Sequence, residues 1–207
     1  MERAFGLEIP QTLAEVCHPR RTAILVYDMQ VGIVSQISDG PRVVTRVASV
    51  LEAARNGGYR VFFTRHMSLP KEVAGVVQLR TAMAWQRVDR VDKVRQPFLR
   101  EAAAFQIAPE VDPLPSEGVI DKITMSAFAG TYLDIALRDC GLNSFVVLGI
   151  ALEVGIRANC SARNRFGLYP HDCDGCLRVR ESGGGGTKPR CAQFRRRLTA
   201  GRVWRSD

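Results

Sequence analysis

Residues 23–28 read Ala-Ile-Leu-Val-Tyr-Asp, an uninterrupted apolar run that ends in a carboxylate. Such a run, preceded by the polar residues Arg21 and Thr22, is typical of a parallel β-strand that is buried on both faces. In open α/β sheets, ligands bind just beyond the carboxyl ends of the strands. The stretch therefore predicts a parallel sheet and places Asp28 where a functional residue is expected. Capping of a helix or turn is the alternative role for a single carboxylate at a strand end.

The same alternation of buried strands and amphipathic helices continues along the chain. Apolar residues recur at helical spacing from residue 42 to residue 56, and Gly57 with Gly58 ends that helix. We interpret residues 66–116, whose prolines break up short helical segments, as an excursion over the sheet. Strands alternating with helices predict a three-layer α/β/α fold with a parallel, Rossmann-like sheet. The predicted strands are residues 23–27, 60–64, 118–121 and 144–148, and the predicted helices are residues 42–56 and 132–139.

Charge divides the chain into two parts. The formal net charge is +8, with 17 basic and 17 acidic residues in residues 1–156 but 12 and 4 in residues 157–207. Four of the six cysteines also lie in the second part. The sequence therefore predicts one domain over residues 1–156, followed by a basic tail rich in Cys, Gly and Arg. Because no uncharged run approaches the roughly 18–20 residues of a membrane helix, we expect a soluble, cytoplasmic protein without a membrane partner.

Three blocks of sequence lie at or just past the predicted strand ends, where their polar groups can meet at one edge of the sheet. The blocks are Asp28-Met29-Gln30, then Lys122 with Ser126-Ala127-Phe128 and Thr131, and finally the turn from Gly149 to Gly155 with Ile156.

In order and spacing, these three blocks resemble the isochorismatase-like family of the cysteine hydrolase superfamily. The resemblance implies that Asp28 is a general acid or base and that Lys122 lies beside it and keeps the carboxylate ionised. It also implies a cis peptide bond between Ile150 and Ala151 that helps to form an oxyanion hole. Such a bond costs roughly 3–4 kcal/mol and is kept only where geometry requires it. The usual nucleophilic cysteine of the family corresponds to Gly155 in this sequence.

Gly155 has no side chain that could replace a thiolate, so amide hydrolysis through a thioester is not available there. The sequence is then most similar to the isochorismatase branch, in which some members have glycine and use the aspartate to protonate a vinyl ether. Glycine at a helix entry also lets an anionic substrate approach backbone N–H groups, although a packing role is equally open. We therefore expect a hydrolase for a small anionic substrate, or alternatively an inactive member that binds a ligand or acts as a scaffold. The resemblance further implies a homo-oligomer.

Additional side chains are expected near Asp28, because the strand ends and the excursion would bring them there. Trp85 has a core position as its alternative. His66 lacks Asp or His partners at the spacing of metal ligands, so we predict neither a metal site nor a cofactor. The expected substrate contacts are Gln30, Arg65, Trp85 and Gln86, with His66 as a further pocket residue.

The tail, residues 157–207, allows several interpretations. His171 and the cysteines could bind zinc, the arginines at positions 195–197 could bind nucleic acid, and residues 183–186 are typical of a flexible linker. If the codons that could encode residues 157–176 are read one base later, the genetic code permits a different amino-acid sequence. That sequence is Glu-Pro-Thr-Val-Arg-His-Ala-Thr-Asp-Leu-Gly-Tyr-Ile-Pro-Met-Ile-Val-Thr-Asp-Ala. That frame encodes the helix, glycine and buried strand that should follow. We therefore interpret the tail as an out-of-frame remnant of the same domain, which leaves the C-terminal part of the fold incomplete and makes nucleic acid an unexpected partner.

Overall fold

The computed structural model describes residues 1–150 and the backbone of residues 169–170. The strands in this part of the chain are β1 (Glu2–Ala4), β2 (Leu7–Ile9), β3 (Thr22–Tyr27), β4 (Arg60–His66), β5 (Gly118–Lys122), β6 (Ser144–Gly149) and β7 (Tyr169–Pro170). The α-helices are α1 (Leu13–Val16), α2 (Val31–Val34), α3 (Gly40–Asn56), α4 (Val76–Gln86) and α5 (Leu133–Asp139).

β3 is the middle strand of a parallel sheet with the order β5-β4-β3-β6-β7. The predicted α/β class with a parallel sheet is confirmed, and the four predicted strands are present. The observed and predicted bounds differ most for β4, which continues two residues beyond its predicted end. This extension brings His66 into register with Lys122. β1 and β2 form a separate antiparallel hairpin that the sequence patterns did not predict.

Both faces of β3 are buried, which explains its unbroken apolar sequence. On one face, Ile24 and Val26 pack in a core with buried residues of α3. On the other face, Leu25 packs in a second core with Leu133 and Leu137 of α5. Successive side chains of a strand point to opposite faces, so a strand between two helical layers needs an apolar residue at every position. These two cores give the three layers of the fold.

The chain leaves the sheet between β4 and β5, as predicted for the excursion. This segment contains α4 and three short 3₁₀-helices, Val91–Lys93, Ala103–Phe105 and Pro109–Val111. Phe105 and Val111 are buried, whereas no residue of α4 is. The segment is therefore anchored near its end and exposed over its first half. No helix in the described residues is long and apolar enough to cross a membrane.

β6 ends at Gly149, which pairs with Tyr27 of β3. Gly149 has a φ of 145°, a conformation that side chains rarely allow, and a Cβ there would lie 2.2 Å from the Tyr27 carbonyl oxygen. The close approach of the two strands therefore requires glycine. It fixes the point from which Ile150 leaves the sheet.

Replacing Gly149 with alanine should destabilise the fold, because the added methyl group would strain the backbone and push β6 away from β3. We expect the free energy of unfolding, measured in urea, to fall by about 2–4 kcal/mol. Gly75→Ala is a matched control, since its φ is −75° and no atom lies within 4 Å of the added Cβ. The control should change stability by less than about 0.5 kcal/mol. Equal stability of the two variants would contradict the close approach.

Candidate active site

Asp28 is the residue at which the chain turns away from β3. Its φ of 51° lies in the left-handed region, which aspartate tolerates better than most residues. The backbone N–H of Asp28 donates to the carbonyl oxygen of Thr64 at 3.2 Å and to the hydroxyl of the same residue at 3.3 Å. The turn therefore ends regular pairing with β4 and leaves the carboxylate at the carboxyl edge of the sheet.

Two buried donors from neighbouring strands hold the Asp28 carboxylate. The Lys122 ammonium at the end of β5 donates to Oδ2 at 2.7 Å, and the Thr64 hydroxyl of β4 donates to Oδ1 at 2.7 Å. The Lys122 side chain is completely buried and that of Asp28 is 9% exposed. Because both charges are out of water, each depends on the other for its stability. The structure brings Asp28 and Lys122 together as the resemblance implies, and their catalytic roles stay predictions.

Lys122 has three partners among the described residues. Besides Asp28, its ammonium contacts the Thr124 carbonyl oxygen at 3.2 Å and lies 4.4 Å from the centre of the Tyr27 ring. Burial lowers the pKa of Lys122, and the attraction of Asp28 opposes that effect. The Tyr27 phenol donates to the Met125 carbonyl oxygen, and burial raises its pKa, so it stays protonated. Lys122 is thus placed to act on Asp28 rather than to bind solvent.

The second sequence block forms the turn between β5 and α5. The Ser126 hydroxyl oxygen accepts the backbone N–H of Phe128 at 3.1 Å and that of Ala129 at 3.3 Å. The Thr131 hydroxyl donates to the Ala127 carbonyl oxygen at 2.5 Å. These hydrogen bonds shape the turn that follows Lys122, which is a structural reason for the residue types in this block.

Gln30 is fully buried, and its side-chain amide binds backbone groups on two segments. Its Oε1 accepts the backbone N–H of His66 at 2.6 Å, and its Nε2 donates to the carbonyl oxygens of His66 and Phe105 at 3.0 and 2.8 Å. The amide therefore supports the wall of the site. Its predicted contact with substrate stays a prediction.

The other expected substrate contacts lie in three different environments. Arg65 donates to Asp121 at 2.8 Å and stacks over the Phe105 ring at 4.3 Å. The Gln86 amide makes two 2.8 Å hydrogen bonds with the backbone of Arg95. Trp85 is 60% exposed, which rules out the core position considered for it. Of the three, Trp85 has the most surface free for a ligand.

The His66 ring lies between two aromatic rings. Its centroid is 5.8 Å from that of Phe98 in an edge-on arrangement and 6.4 Å from that of Trp85. Its Nδ1 atom is buried and has no hydrogen-bond partner among the described residues. Burial lowers the pKa of His66, the nearby Lys122 charge lowers it further, and Asp28 opposes both effects. The ring is therefore neutral at pH 7.

The third sequence block reaches the limit of what the structure describes. Ile150 is buried in the core beside β6, whereas Ala151 and Gly155 lie outside the described residues. The cis bond, the oxyanion hole and the glycine at the nucleophile position thus stay predictions. Within residues 1–150, no group of three or more His, Cys, Asp or Glu side chains is arranged to hold a metal ion.

Thr64 is the residue of this site that the sequence patterns missed. It is the polar residue that ends the predicted strand of residues 60–64, and it is only 1% exposed. A hydroxyl at the carboxyl end of a buried strand was the available signal, because a buried polar group needs a hydrogen-bond partner. Its partner, Asp28, could not be identified from spacing alone.

Comparison with known proteins assigns the chain to a family. Residues 22–171, which begin at β3, match the sequence model of the isochorismatase domain. This chain belongs to the isochorismatase family. Ureidoacrylate amidohydrolase RutB of Pantoea ananatis is 28% identical over 156 residues, which are 68% of this chain and 62% of that enzyme. The chain thus spans less than two thirds of the length of this curated relative.

Solved structures of other proteins share the fold. A cysteine hydrolase from Pseudomonas syringae is 21% identical, with a TM-score of 0.63 over 75% of this chain and 71% of that chain. N-carbamoylsarcosine amidase from Thermoplasma acidophilum is 20% identical, with a TM-score of 0.60 over 72% of this chain and 79% of that chain. These proteins therefore share the arrangement of the sheet and helices with this chain.

Lys122→Met should lower the free energy of unfolding by about 3–5 kcal/mol, because it leaves the Asp28 carboxylate buried without its cation. Adding Asp28→Asn to Lys122→Met should restore part of that loss, since no unpaired charge then remains. Thermal and urea denaturation measure both effects.

Lys93→Met is the control for Lys122→Met, because Lys93 makes an exposed ion pair with Asp89. It should cost less than about 1 kcal/mol. A double variant as unstable as Lys122→Met alone would show that the buried charge is not the cause.

Proposed function

We propose that this chain is a hydrolase that acts on a small anionic substrate by general acid/base catalysis at Asp28, without a cysteine nucleophile. The observation that carries this proposal is the buried Asp28 carboxylate, fixed through one oxygen by Lys122 and through the other by Thr64. A general acid or base must be held in one orientation and shielded from water, and this carboxylate meets both requirements.

Asp28 can exchange a proton without losing its position. Each carboxylate oxygen has more than one acceptor site, so the hydrogen bonds from Lys122 and Thr64 leave a site free on each. An acid role for Asp28 requires a substrate that excludes the remaining water when it binds, because desolvation disfavours the charged form of a carboxyl group.

The proposed chemistry follows from glycine at position 155. A thiolate that could form a thioester with an amide substrate is missing there, so covalent catalysis is not expected. For a vinyl ether, Asp28 would protonate the terminal carbon and water would add to the adjacent carbon. Cleavage of the C–O bond would then release an alcohol and a carbonyl compound, and the proton from water would return to Asp28.

The names of relatives support an anionic substrate. Ureidoacrylate and N-carbamoylsarcosine, the substrates named for two of them, are both small carboxylates. Ile150, Ala151 and Gly155 would supply the turn whose backbone N–H groups stabilise negative charge, which in a vinyl-ether substrate is that of the bound carboxylate. Gln30, Arg65, Trp85 and Gln86 remain the proposed outer contacts. We further propose that the protein is cytoplasmic and forms a homo-oligomer, as the family resemblance implies.

The test is hydrolysis of isochorismate, ureidoacrylate and N-carbamoylsarcosine by the purified protein. Asp28→Asn should lower kcat/KM at least ~100-fold for any substrate that is turned over, because it removes the exchangeable proton. Asp139→Asn, at the exposed end of α5, is the control and should retain activity. Activity that survives Asp28→Asn would refute the proposed mechanism.

A non-catalytic role is the second candidate, and glycine at position 155 is the observation that favours it. Such a protein would bind one of the three probes without turnover, with the Asp28–Lys122 pair serving as a fixed polar wall. Tight binding of an unchanged probe would support this role as a ligand-binding or scaffold protein.

We also propose that the domain ends in frame at Ile156 and that residues 157–207 come from a shifted frame. Sequencing of the gene should reveal one inserted or deleted base near codon 156 or 157. Restoring the frame should produce the helix and buried strand that the family has after this turn. An intact frame in an independently sequenced gene would refute the proposal and restore the zinc and nucleic-acid interpretations of the tail.

A further inference from the structure

Gln30 holds the backbone of His66 as a neighbouring strand would. β3 ends at Tyr27, whereas β4 continues to His66, so the last residues of β4 have no regular partner on that side. The Gln30 amide accepts the His66 N–H at 2.6 Å and donates to its carbonyl oxygen at 3.0 Å. A buried side-chain amide thus extends the sheet and fixes where His66 lies.

This position is beside the catalytic pair. His66 is in register with Lys122 on β5, and the Lys122 ammonium binds Asp28 at 2.7 Å. The charges of Lys122 and Asp28 both act on the imidazole. The His66 ring therefore belongs to the same carboxyl edge of the sheet as the proposed acid.

The ring nitrogens of His66 have no structural role that the described residues reveal. Phe98 and Trp85 pack against the ring, and such packing would be served equally well by phenylalanine. Nδ1 is buried and has no hydrogen-bond partner in the part of the chain that the structure describes, which is an unfavourable arrangement that a purely structural residue would avoid. A polar group kept at a cost to stability is typical of a functional site.

Burial also determines what the ring can offer to a ligand. A buried N–H without an acceptor is rarer in proteins than an unsatisfied acceptor. The neutral ring therefore carries its proton on Nε2, and Nδ1 holds the bare lone pair. Nε2 is left as a hydrogen-bond donor, which suits an oxygen of an anionic substrate.

We infer that His66 is a substrate-binding residue that donates a hydrogen bond from Nε2 to a carboxylate or carbonyl oxygen of the substrate, with Gln30 as its positioning residue. This inference rests on the proposed function and names the group that recognises the substrate. Trp85, exposed next to the ring, would cover the same part of the ligand.

Three substitutions distinguish the two ring nitrogens. Glutamine can place its Nε2 amide near the position of the histidine Nε2, asparagine places its amide near Nδ1, and phenylalanine keeps only the packing. Binding of ureidoacrylate, and of N-carbamoylsarcosine as the second probe, is measured by calorimetry on the full chain. All variants carry Asp28→Asn, so that the probe is not consumed, together with Lys122→Met, so that no buried charge is left unpaired.

His66→Phe and His66→Asn should weaken binding roughly ten- to hundredfold relative to the parent that carries Asp28→Asn and Lys122→Met. His66→Gln should restore affinity to within about threefold of the parent. His66→Phe should be as stable as the wild type or more stable, which separates a ligand contact from a structural role.

Three results would overturn the inference. His66→Phe could bind the probes normally, asparagine rather than glutamine could restore binding, or the parent could bind neither carboxylate. Turnover that depends on Asp28 but not on His66 would remove this inference and leave the hydrolase proposal intact. Binding that depends on His66 without any turnover would support this inference and remove the hydrolase proposal.

Discussion

The buried ion pair between Asp28 and Lys122 is the constraint on which the site depends. The two residues end β3 and β5, and β4 lies between those strands. A charge removed from water is tolerated only with a well-placed partner, so a slip of one residue in any of the three strands would separate the pair. The register of half the sheet is therefore tied to one 2.7 Å contact, and Thr64 from the intervening strand completes it.

The unequal lengths of the strands turn this constraint into a site. β3 stops at the left-handed residue Asp28, while β4 continues to His66. If β3 had continued to pair with β4, its backbone would have filled the space that the side chains of the site occupy. If β3 had ended without a replacement, the last backbone groups of β4 would have had no hydrogen-bond partners on that side. Gln30 resolves the conflict because its amide supplies the missing hydrogen bonds from within the core. The Asp28-Met29-Gln30 block thus contributes the buried carboxylate and the support for the opposite wall.

Local sequence patterns predicted those strands and helices whose residue types are determined by burial alone. The apolar run of β3 and the spacing of α3 were sufficient, because each reports contact with a core. The pairing of Thr64 with Asp28 and of Gln30 with His66 joins residues 36 positions apart, and no local pattern records such contacts. The exposure of Trp85 was also hidden, because α4 has apolar residues on all sides and no buried face. The hairpin of β1 and β2 was missed because its strands are only three residues long.

The origin of the polar groups bears on the proposal that the site works without a thiol. Every described partner of the Asp28 carboxylate comes from β4 or β5, and none of them comes from the turn after β6. Glycine at position 155 would therefore change which bonds the site can attack without disturbing the hydrogen bonds that hold this carboxylate. The proposed shift of frame after Ile156 would act on another part of the fold. β6 is buried along all six residues, and within the described residues β7 pairs with its first two, Ser144 and Phe145. Because a buried parallel strand normally has neighbours along its whole length, a restored frame would be expected to extend this pairing.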